Sequence, residues 1–350
     1  MNKALSHIGP HHDIVISTRV RIARNVEGYL FPHKQNEENA LALMKDVQNA
    51  VKAFPDHQGD EYTYVRLNQL SGLEGQALVE EHVISPALLA NAAKSGFFFN
   101  PSKGISIMVN EEDHIRIQSM QQGFQLEAAW NQADQLDNWL GKNVPYAFDE
   151  TFGYLTACPT NLGTGTRISV MLHLPALTLM GYIDGLIQAA GQLGFAVRGL
   201  FGEGTEYTGN LYQVSNQITL GLEEHEIISR LEDVLIQVIQ KERLARRNLL
   251  DNKKIDLEDR IFRSLGVLSY ARRLTGKEAM QYLSDLKLGT SLGMVNTCTL
   301  SELQRLMELI QPAKLQQHCG KIMNETERDR QRAELIRSKI NGGGTQHVHE

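Results

Sequence analysis

Apolar positions recur along this chain with two periods, and the changes between them mark out its elements. A period of two runs through 17–22, where Val20 and Ile22 alternate with Ser17, Arg19 and Arg21. It returns at 62–67, 104–110, 115–118, 168–174, 196–201 and 211–220, the last interrupted at Ser215-Asn216, and predicts strands. A helical stripe of Leu41, Met44, Val47, Val51 and Phe54 ends near Pro55, and 78–89 is helical in part. Further helices are expected over 124–140 (Leu126, Trp130, Ala133, Leu136 and Leu140 inward) and over 177–193, closed by Gly194. A long one follows over 223–250, burying Ile227, Leu231, Val234, Val238 and Ile239. Beyond 251–254 the pattern is helical only. Thr275-x-x-Glu278 and Thr299-x-x-Glu302 are capping boxes, one more helix covers about 324–340, and glycines open a tail. The expected fold class is therefore α+β: a mixed domain over 1–255, a smaller all-α domain over 256–341, and a flexible tail over 342–350.

Composition narrows the setting. The chain has 350 residues, 42% hydrophobic and 22% charged, enough for one large core and a smaller domain. No apolar run approaches the roughly 20 residues that span a bilayer, and the first residues hold no signal-peptide core. Cys158, Cys298 and Cys319 are odd in number and far apart, which argues against a disulfide framework or zinc site and for a reducing cytoplasm. A net charge of −6 supplies no bulk attraction for nucleic acid or an anionic membrane. Any anion site has to come from locally clustered arginines.

Several stretches carry candidate chemistry, each with a plainer reading beside it. On an extended 17–22, Arg19 and Arg21 share a face; they form a phosphate fork pair or a solvated basic strand. In Glu111-Glu112-Asp113-His114-Ile115-Arg116, alternation would place Glu112, His114 and Arg116 on one polar face, unless the acids are only a solvated turn. Cys158 to Arg167 joins a cysteine, two glycines and an arginine where a loop enters a strand. Such a loop can gather a thiol, backbone N–H groups and a fixed charge around an anion, or be a structural turn. Gly202, Gly204 and Gly209 suggest a mobile flap with Glu203 at its root. Arg328-Asp329-Arg330-Gln331-Arg332-Ala333 puts Arg328 and Arg332 on one helical face beside Asp329, and as a pattern it also fits a solvated charged face.

Taken together, Ser17-Thr18-Arg19-Val20-Arg21, Asn110 to His114, Cys158 to Arg167, and Arg198 through Gly202-Glu203 with Ser215-Asn216 resemble the phosphagen (guanidino) kinases, in that family's order, over roughly 14–250. Within the superfamily the chain is most similar to the bacterial protein arginine kinases of the McsB type. The small-substrate kinases carry a helical domain before the first arginine motif, where this chain has only a short segment, so a substrate too large to be engulfed is expected. Met171 replaces a histidine that those enzymes place beside adenine.

The resemblance implies a phosphagen-kinase-like catalytic domain, a largely antiparallel sheet flanked by helices. It implies transfer of the ATP γ-phosphoryl group to arginine guanidinium in proteins, with Glu112 as general base, Glu203 orienting or sharing the proton, and Cys158 positioning the guanidinium. Arg19, Arg21, Arg116, Arg167 and Arg198 would hold the phosphates. Mg²⁺ would be bound through ATP and not through protein side chains. Ser17, Thr18, Val20, His82, Ile168, Ser169, Val170, Met171, Gly199, Leu200, Phe201 and Gly202 would complete the nucleotide cradle. Residues 328–333 resemble a phosphoarginine-sensing motif that tunes the enzyme. A homodimer, a zinc-containing activator protein and a Clp-type protease that receives stress-response repressors or misfolded proteins are the implied partners. A kinase for a free small guanidino compound and a catalytically idle nucleotide- or phosphoarginine-binding adaptor are the rival expectations.

Overall fold

The computed structural model describes residues 8–55, 62–199 and 208–342. Its strands are β1 (Val15–Arg24), β2 (Thr63–Arg66), β3 (Gly96–Asn100), β4 (Ile105–Val109), β5 (Ile115–Gln122), β6 (Phe148–Asp149), β7 (Gly153–Tyr154), β8 (Thr166–His173), β9 (Phe195–Arg198) and β10 (Leu211–Asn216). Helices of the mixed part are α1 (Glu37–Lys52), α2 (Gly72–Glu80), α3 (Pro86–Ala90), α4 (Leu126–Asn143), α5 (Pro175–Leu179), α6 (Ile183–Gln192) and α7 (Glu224–Asn252). Then come α8 (Lys254–Tyr270), α9 (Gly276–Ser291), α10 (Leu300–Leu309), α11 (Pro312–Cys319) and α12 (Glu325–Gly342).

Eight strands form one sheet in the order β2-β3-β4-β5-β1-β8-β10-β9, antiparallel at every pairing, and β6 and β7 form a separate hairpin. The sheet segregates its faces by the period-two rule. Val20, Ile22, Ile117, Ile168, Val170 and Val214 point to one side and are buried in the main core. There α4 packs on β1 and β5, α7 on β8 and β10, and α1 beside α4. The opposite face is polar in the middle and becomes apolar at the β3–β4 end, where Phe97 and Met108 meet Leu67, Val83, Ile84 and Leu88. One sheet thus separates a hydrophobic core from a charged surface.

Three expected details come out differently. The α1 stripe is Ala40, Leu43, Met44, Val47, Ala50 and Val51, whereas Leu41, one position off that repeat, is 37% exposed. The predicted 177–193 helix is two, because Gly181 adopts φ 74 after α5, a left-handed residue that ends a helix. Asn216 ends β10 instead of interrupting it. Its side chain accepts the Ile168 N–H at 2.8 Å and donates to Thr166 O at 3.1 Å, substituting for ladder bonds where the strand stops.

At Lys253 (φ −138, ψ 34) the chain leaves α7 and re-enters a helix one residue later. Thr275 and Thr299 each close a reciprocal capping box with Glu278 and Glu302, as their spacing required. The helical part is fastened to the sheet part by polar contacts. Ser284 on α9 lies 2.8 Å from His173 Nε2 and accepts from Asn210 at 2.7 Å, Gln304 meets Gln122 at 2.9 Å, and Glu80 takes the first N–H groups of α11.

Between these contacts lies a buried amine. Lys287 on α9 is fully buried, and its Nζ has no hydrogen-bond partner among the described residues. Burial, reinforced by Arg246 and opposed by Asp13 and Glu308, pushes it down from 10.5 to about 7. Between those two values the unfolded chain holds a proton that the folded protein has released, so stability rises with pH across that window. Below it both states are protonated, and the full cost of burying the charge is felt. Lys287→Met should therefore raise stability at pH 7 by about 1–4 kcal/mol and flatten its rise toward alkaline pH. Melting curves from pH 6 to 10 test this; an unchanged or lower Tm at pH 7 would mean that the amine is well accommodated.

Candidate functional site

The polar face is built by strand register. Arg21 on β1 lies opposite Arg167 on β8 and Gln118 on β5, and Arg19 lies opposite Ser169 and Met120. Arg116 pairs with Ala23, one step along the same face. Ser169 faces Ser215 on β10, and Gln213 lies between Met171 on β8 and Arg198 on β9. Residues opposite each other in an antiparallel pair share a face. Arg19, Arg21, Arg116, Arg167 and Arg198 therefore project from one side of the sheet together with Ser17, Ser169 and Met171.

Their charges repel across a partly desolvated surface. Burial, then Arg116 and Arg167, pushes Arg19 down to about 10, while Arg19 Nη2 donates to Gln213 Oε1 at 2.8 Å. Arg21 is held well below the ordinary arginine value by burial and then by Arg19, Arg116 and Arg167, with Glu111 opposing. Its Nε has no hydrogen-bond partner among the described residues. His82, backbone φ 56, is pushed down to about 3 by burial and then by Arg19 and Arg21, so it borders the cluster as a neutral ring. Its carbonyl accepts from Gln118 Nε2 at 2.6 Å, tying it to β5. Clustered guanidinium forks of this kind attract anions.

Glu111 is the acid most closely engaged with this cluster. Its carboxylate is buried, accepts from Arg116 Nη1 at 2.5 Å, and bonds the Ser85 hydroxyl, while Glu112 is 44% exposed at its side chain and 3.5 Å from Arg116 Nη2. Glu111 commits one nitrogen of Arg116, and Glu112 is only loosely engaged at the edge. The expected shared face of Glu112, His114 and Arg116 does not include His114. β5 starts only at Ile115, so the alternation does not extend back through the turn. The His114 ring is buried instead, its Nδ1 accepting from Val26 N–H at 3.0 Å and its Nε2 donating to Leu30 O at 2.8 Å.

The acidic turn and the cysteine loop are pinned to each other. Asp113 Oδ1 accepts from Asn25 Nδ2 and from the Ala157 N–H, both at 2.7 Å, which fixes the residue just before Cys158. Cys158 is half-buried at the start of a 3-10 turn over Pro159–Asn161, with its Sγ 3.0 Å from Thr160 Oγ1. The glycines beyond are sterically required. Gly163 (φ 102) has the Thr219 carbonyl where a Cβ would stand, and Gly165 (φ 65) has Ala23 O and Arg24 Nη1. Arg24 underlies this loop: buried and ion-paired to Asp137 at 2.7 Å, it donates to Thr164 O at 2.8 Å.

Several expected cradle residues turn the other way. Thr18, Val20, Ile168 and Val170 are fully buried on the core side, because they occupy the alternate positions of β1 and β8. Thr18 Oγ1 donates to Gly123 O and accepts from Gln125 N–H, so it is committed to structure. Gly199 follows β9; Leu200, Phe201, Gly202 and Glu203 lie outside the described residues. Sequence reasoning missed Glu111, Gln118 and Gln213. Glu111 stood inside the acidic triplet that drew attention to Glu112, whereas the glutamines become legible only through register.

In α12, Asp329 and Arg332 are buried against each other at 2.7 Å, and Arg332 also donates to Leu274 O at 2.8 Å and Ile310 O at 3.1 Å. Arg328 donates to Met323 O at 3.0 Å, Gln331 to Glu334, Arg330 is exposed, and Ala333 is buried. Of the two arginines expected on one helical face, Arg332 is thus a buried fork and Arg328 is half-buried. Among the described residues no group of three or more His, Cys, Asp or Glu side chains could hold a metal ion, and no helix is long and apolar enough to cross a membrane.

Known proteins show the same organisation. The family described as ATP:guanido phosphotransferase, C-terminal catalytic domain, matches residues 42–245, and the protein-arginine kinase McsB C-terminal domain matches 254–349. A protein-arginine kinase of Halothermothrix orenii is 44% identical over 346 residues, covering 97% of this chain and 98% of its own length. That of Brevibacillus brevis is 46% identical over 332 residues, covering 95% and 93%. Among solved structures, the duplicated taurocyamine kinase of Schistosoma mansoni superposes with a TM-score of 0.60 at 32% identity, over 68% of this chain and 35% of that one. Lombricine kinase gives 0.56 at 26% identity, over 69% and 75%.

Proposed function

Because the chain belongs to the ATP:guanido phosphotransferase family, within its protein-arginine kinases, we propose that the arginine face of its sheet is where an ATP phosphoryl group passes to arginine in a protein. The carrying observation is the register that sets Arg19, Arg21, Arg116, Arg167 and Arg198 on one face, with an orphaned Arg21 Nε at its centre. A nucleotide triphosphate supplies the anion, and planar forks match its oxygens bidentately. Mg²⁺, bound through those phosphates, would neutralise charge on the transferring group.

The protein's own part is positioning and proton acceptance. A guanidinium is a poor nucleophile, with a pKa above about 12, so a carboxylate has to take its proton as the N–P bond forms. Glu112 fits that role: it stands at the edge of the cluster and is only loosely engaged by Arg116. Glu111 instead holds Arg116 in place. Cys158, fixed near the acidic turn through Ala157 and Asp113, would position the guanidinium. Glu203 would approach it from a second side. Ser17, Ser169, Met171 and His82 remain the side chains available to the nucleotide, and Ile168, Val170, Thr18 and Val20 would contribute backbone only.

We take residues 1–255 as the catalytic unit and 256–341 as the helical unit. Within the latter, Arg328, Asp329 and Arg332 would sense phosphoarginine by exchanging the internal Asp329–Arg332 pair for a ligand. Dimerisation, a zinc-containing activator and delivery of marked proteins to a Clp-type protease rest on the resemblance, and a cytoplasmic setting on the three widely spaced cysteines. The deciding experiment is incubation with Mg·ATP and an arginine-rich protein, followed by mass spectrometry without acid. Phosphoarginine on the protein, and little on free arginine, is the expected result; modification of free arginine only, or of nothing, would overturn the proposal.

A further inference from the structure

Next to the cysteine loop, the β6–β7 hairpin displays two large apolar side chains, Phe148 at 59% and Phe152 at 50% exposure. They are presented from a rigid base. The Phe148 ring packs edge-on against Tyr154, 5.2 Å between centroids. Tyr154 in turn lies on the buried Arg24 guanidinium, 3.4 Å from its ring centre. The turn is locked by Asp149 Oδ1, which accepts from Thr151 N–H at 2.8 Å and Phe152 N–H at 3.0 Å. Gly153 (φ 71) sits so close to Gly163 that no Cβ fits, and Tyr154 N–H donates to Gly163 O at 2.8 Å. The hairpin and the loop that carries Cys158 therefore form one stiff unit.

We infer that this hairpin is a docking platform for the segment of protein substrate that flanks the target arginine, and that it selects segments with an aromatic or aliphatic residue close to that arginine. The inference rests on the kinase reading above and names how that site chooses its substrate. Tyr154 and Cys158 are four residues apart, which an extended chain spans in at most about 14 Å. Phe152 lies six residues before Cys158, so a substrate whose arginine reaches Cys158 could lay a residue up to about six positions away on this aromatic tip. Charge agrees with that occupant: residues 146–156 contain Asp149 and Glu150 and no lysine or arginine, so the tip attracts a cationic segment. Rigid exposed aromatics over an acidic turn bind such a chain with little ordering cost.

The test uses the full chain and two peptides with one central arginine each, one with Leu and Phe spread over the six positions on either side, the other with Gly and Ser there. The wild type should show a kcat/KM several-fold higher on the apolar peptide, and Phe148→Ala/Phe152→Ala should bring the ratio close to one. Phe148→Trp/Phe152→Trp should retain it. Fluorescence anisotropy of the labelled apolar peptide reads docking without catalysis and should show binding weakened several-fold in the alanine variant. Equal binding and an unchanged ratio would overturn the inference. So would a wild-type assembly that dissociates in the alanine variant by sedimentation, since the aromatics would then join copies of the chain. Absence of turnover on either peptide, with selective binding intact, would sink the kinase reading and leave the docking platform standing.

Discussion

Glu112→Gln is expected to fold, to bind ATP, and to lose phosphoryl transfer by about 10²–10⁴-fold, the usual contribution of a positioned general base. The structure separates the two consequences that a glutamate substitution generally mixes. Glu112 is 44% exposed at its side chain and contacts Arg116 Nη2 only at 3.5 Å, so stability should change little. Arg116 keeps its orientation because Glu111 holds its other nitrogen at 2.5 Å. Glutamine preserves the shape and one acceptor oxygen while removing the charge and the ability to accept a proton. Phosphoarginine formation measured beside the ATP-induced shift in Tm gives both quantities from one preparation. A variant that retains both would take Glu112 out of the chemistry, and one that loses the ATP shift would make it a binding residue instead.

How legible this arrangement was in the sequence depends on whether the determining contacts are local. Alternation around Arg19 and Arg21 suffices to put them on one face, since the strand period is a property of the backbone alone. The capping boxes at Thr275 and Thr299 are equally local and form as expected. The helix break at Gly181 needed a left-handed φ that spacing does not reveal. His114 shows the limit of periodicity. Alternation places it on a strand face, but the strand begins one residue later and tertiary contacts with Val26 and Leu30 claim the ring. Arg116 and Arg198 share a face only because the sheet order runs β5-β1-β8-β10-β9, and no pattern along the chain encodes that order. The same holds for Asp113, whose bonds to Asn25 and Ala157 tie the acidic turn to the cysteine loop. Motif resemblance supplied that long-range information for the arginines. A contiguous motif on a strand always includes residues whose side chains face the other way, as those of Ile168 and Val170 do.

Arg21→Met should stabilise the empty protein and disable the enzyme at once. Arg21 faces Arg167 across the β1–β8 pair, and burial together with Arg19, Arg116 and Arg167 works against its charge. Its Nε is left without a partner among the described residues, so the empty protein bears a desolvated and mutually repelling charge. Methionine keeps an unbranched, flexible apolar stem and removes that burden. A gain of about 0.5–2 kcal/mol is expected, the usual size when a functional site is relieved of strain. Binding should change with the opposite sign. ATP at about a hundred times its Kd adds about 2.7 kcal/mol to the wild type, and most of that should vanish in the variant. Transfer should fall by about 10²–10³-fold, as when one preorganised donor to transition-state charge is lost. Thermal melts with and without Mg·ATP, at low and high salt, measure both signs; salt should narrow the difference between the empty proteins by screening the repulsion. A lower Tm for the empty variant would show Arg21 to be a structural ion. An undiminished ATP shift would place the phosphates somewhere other than this face of the sheet.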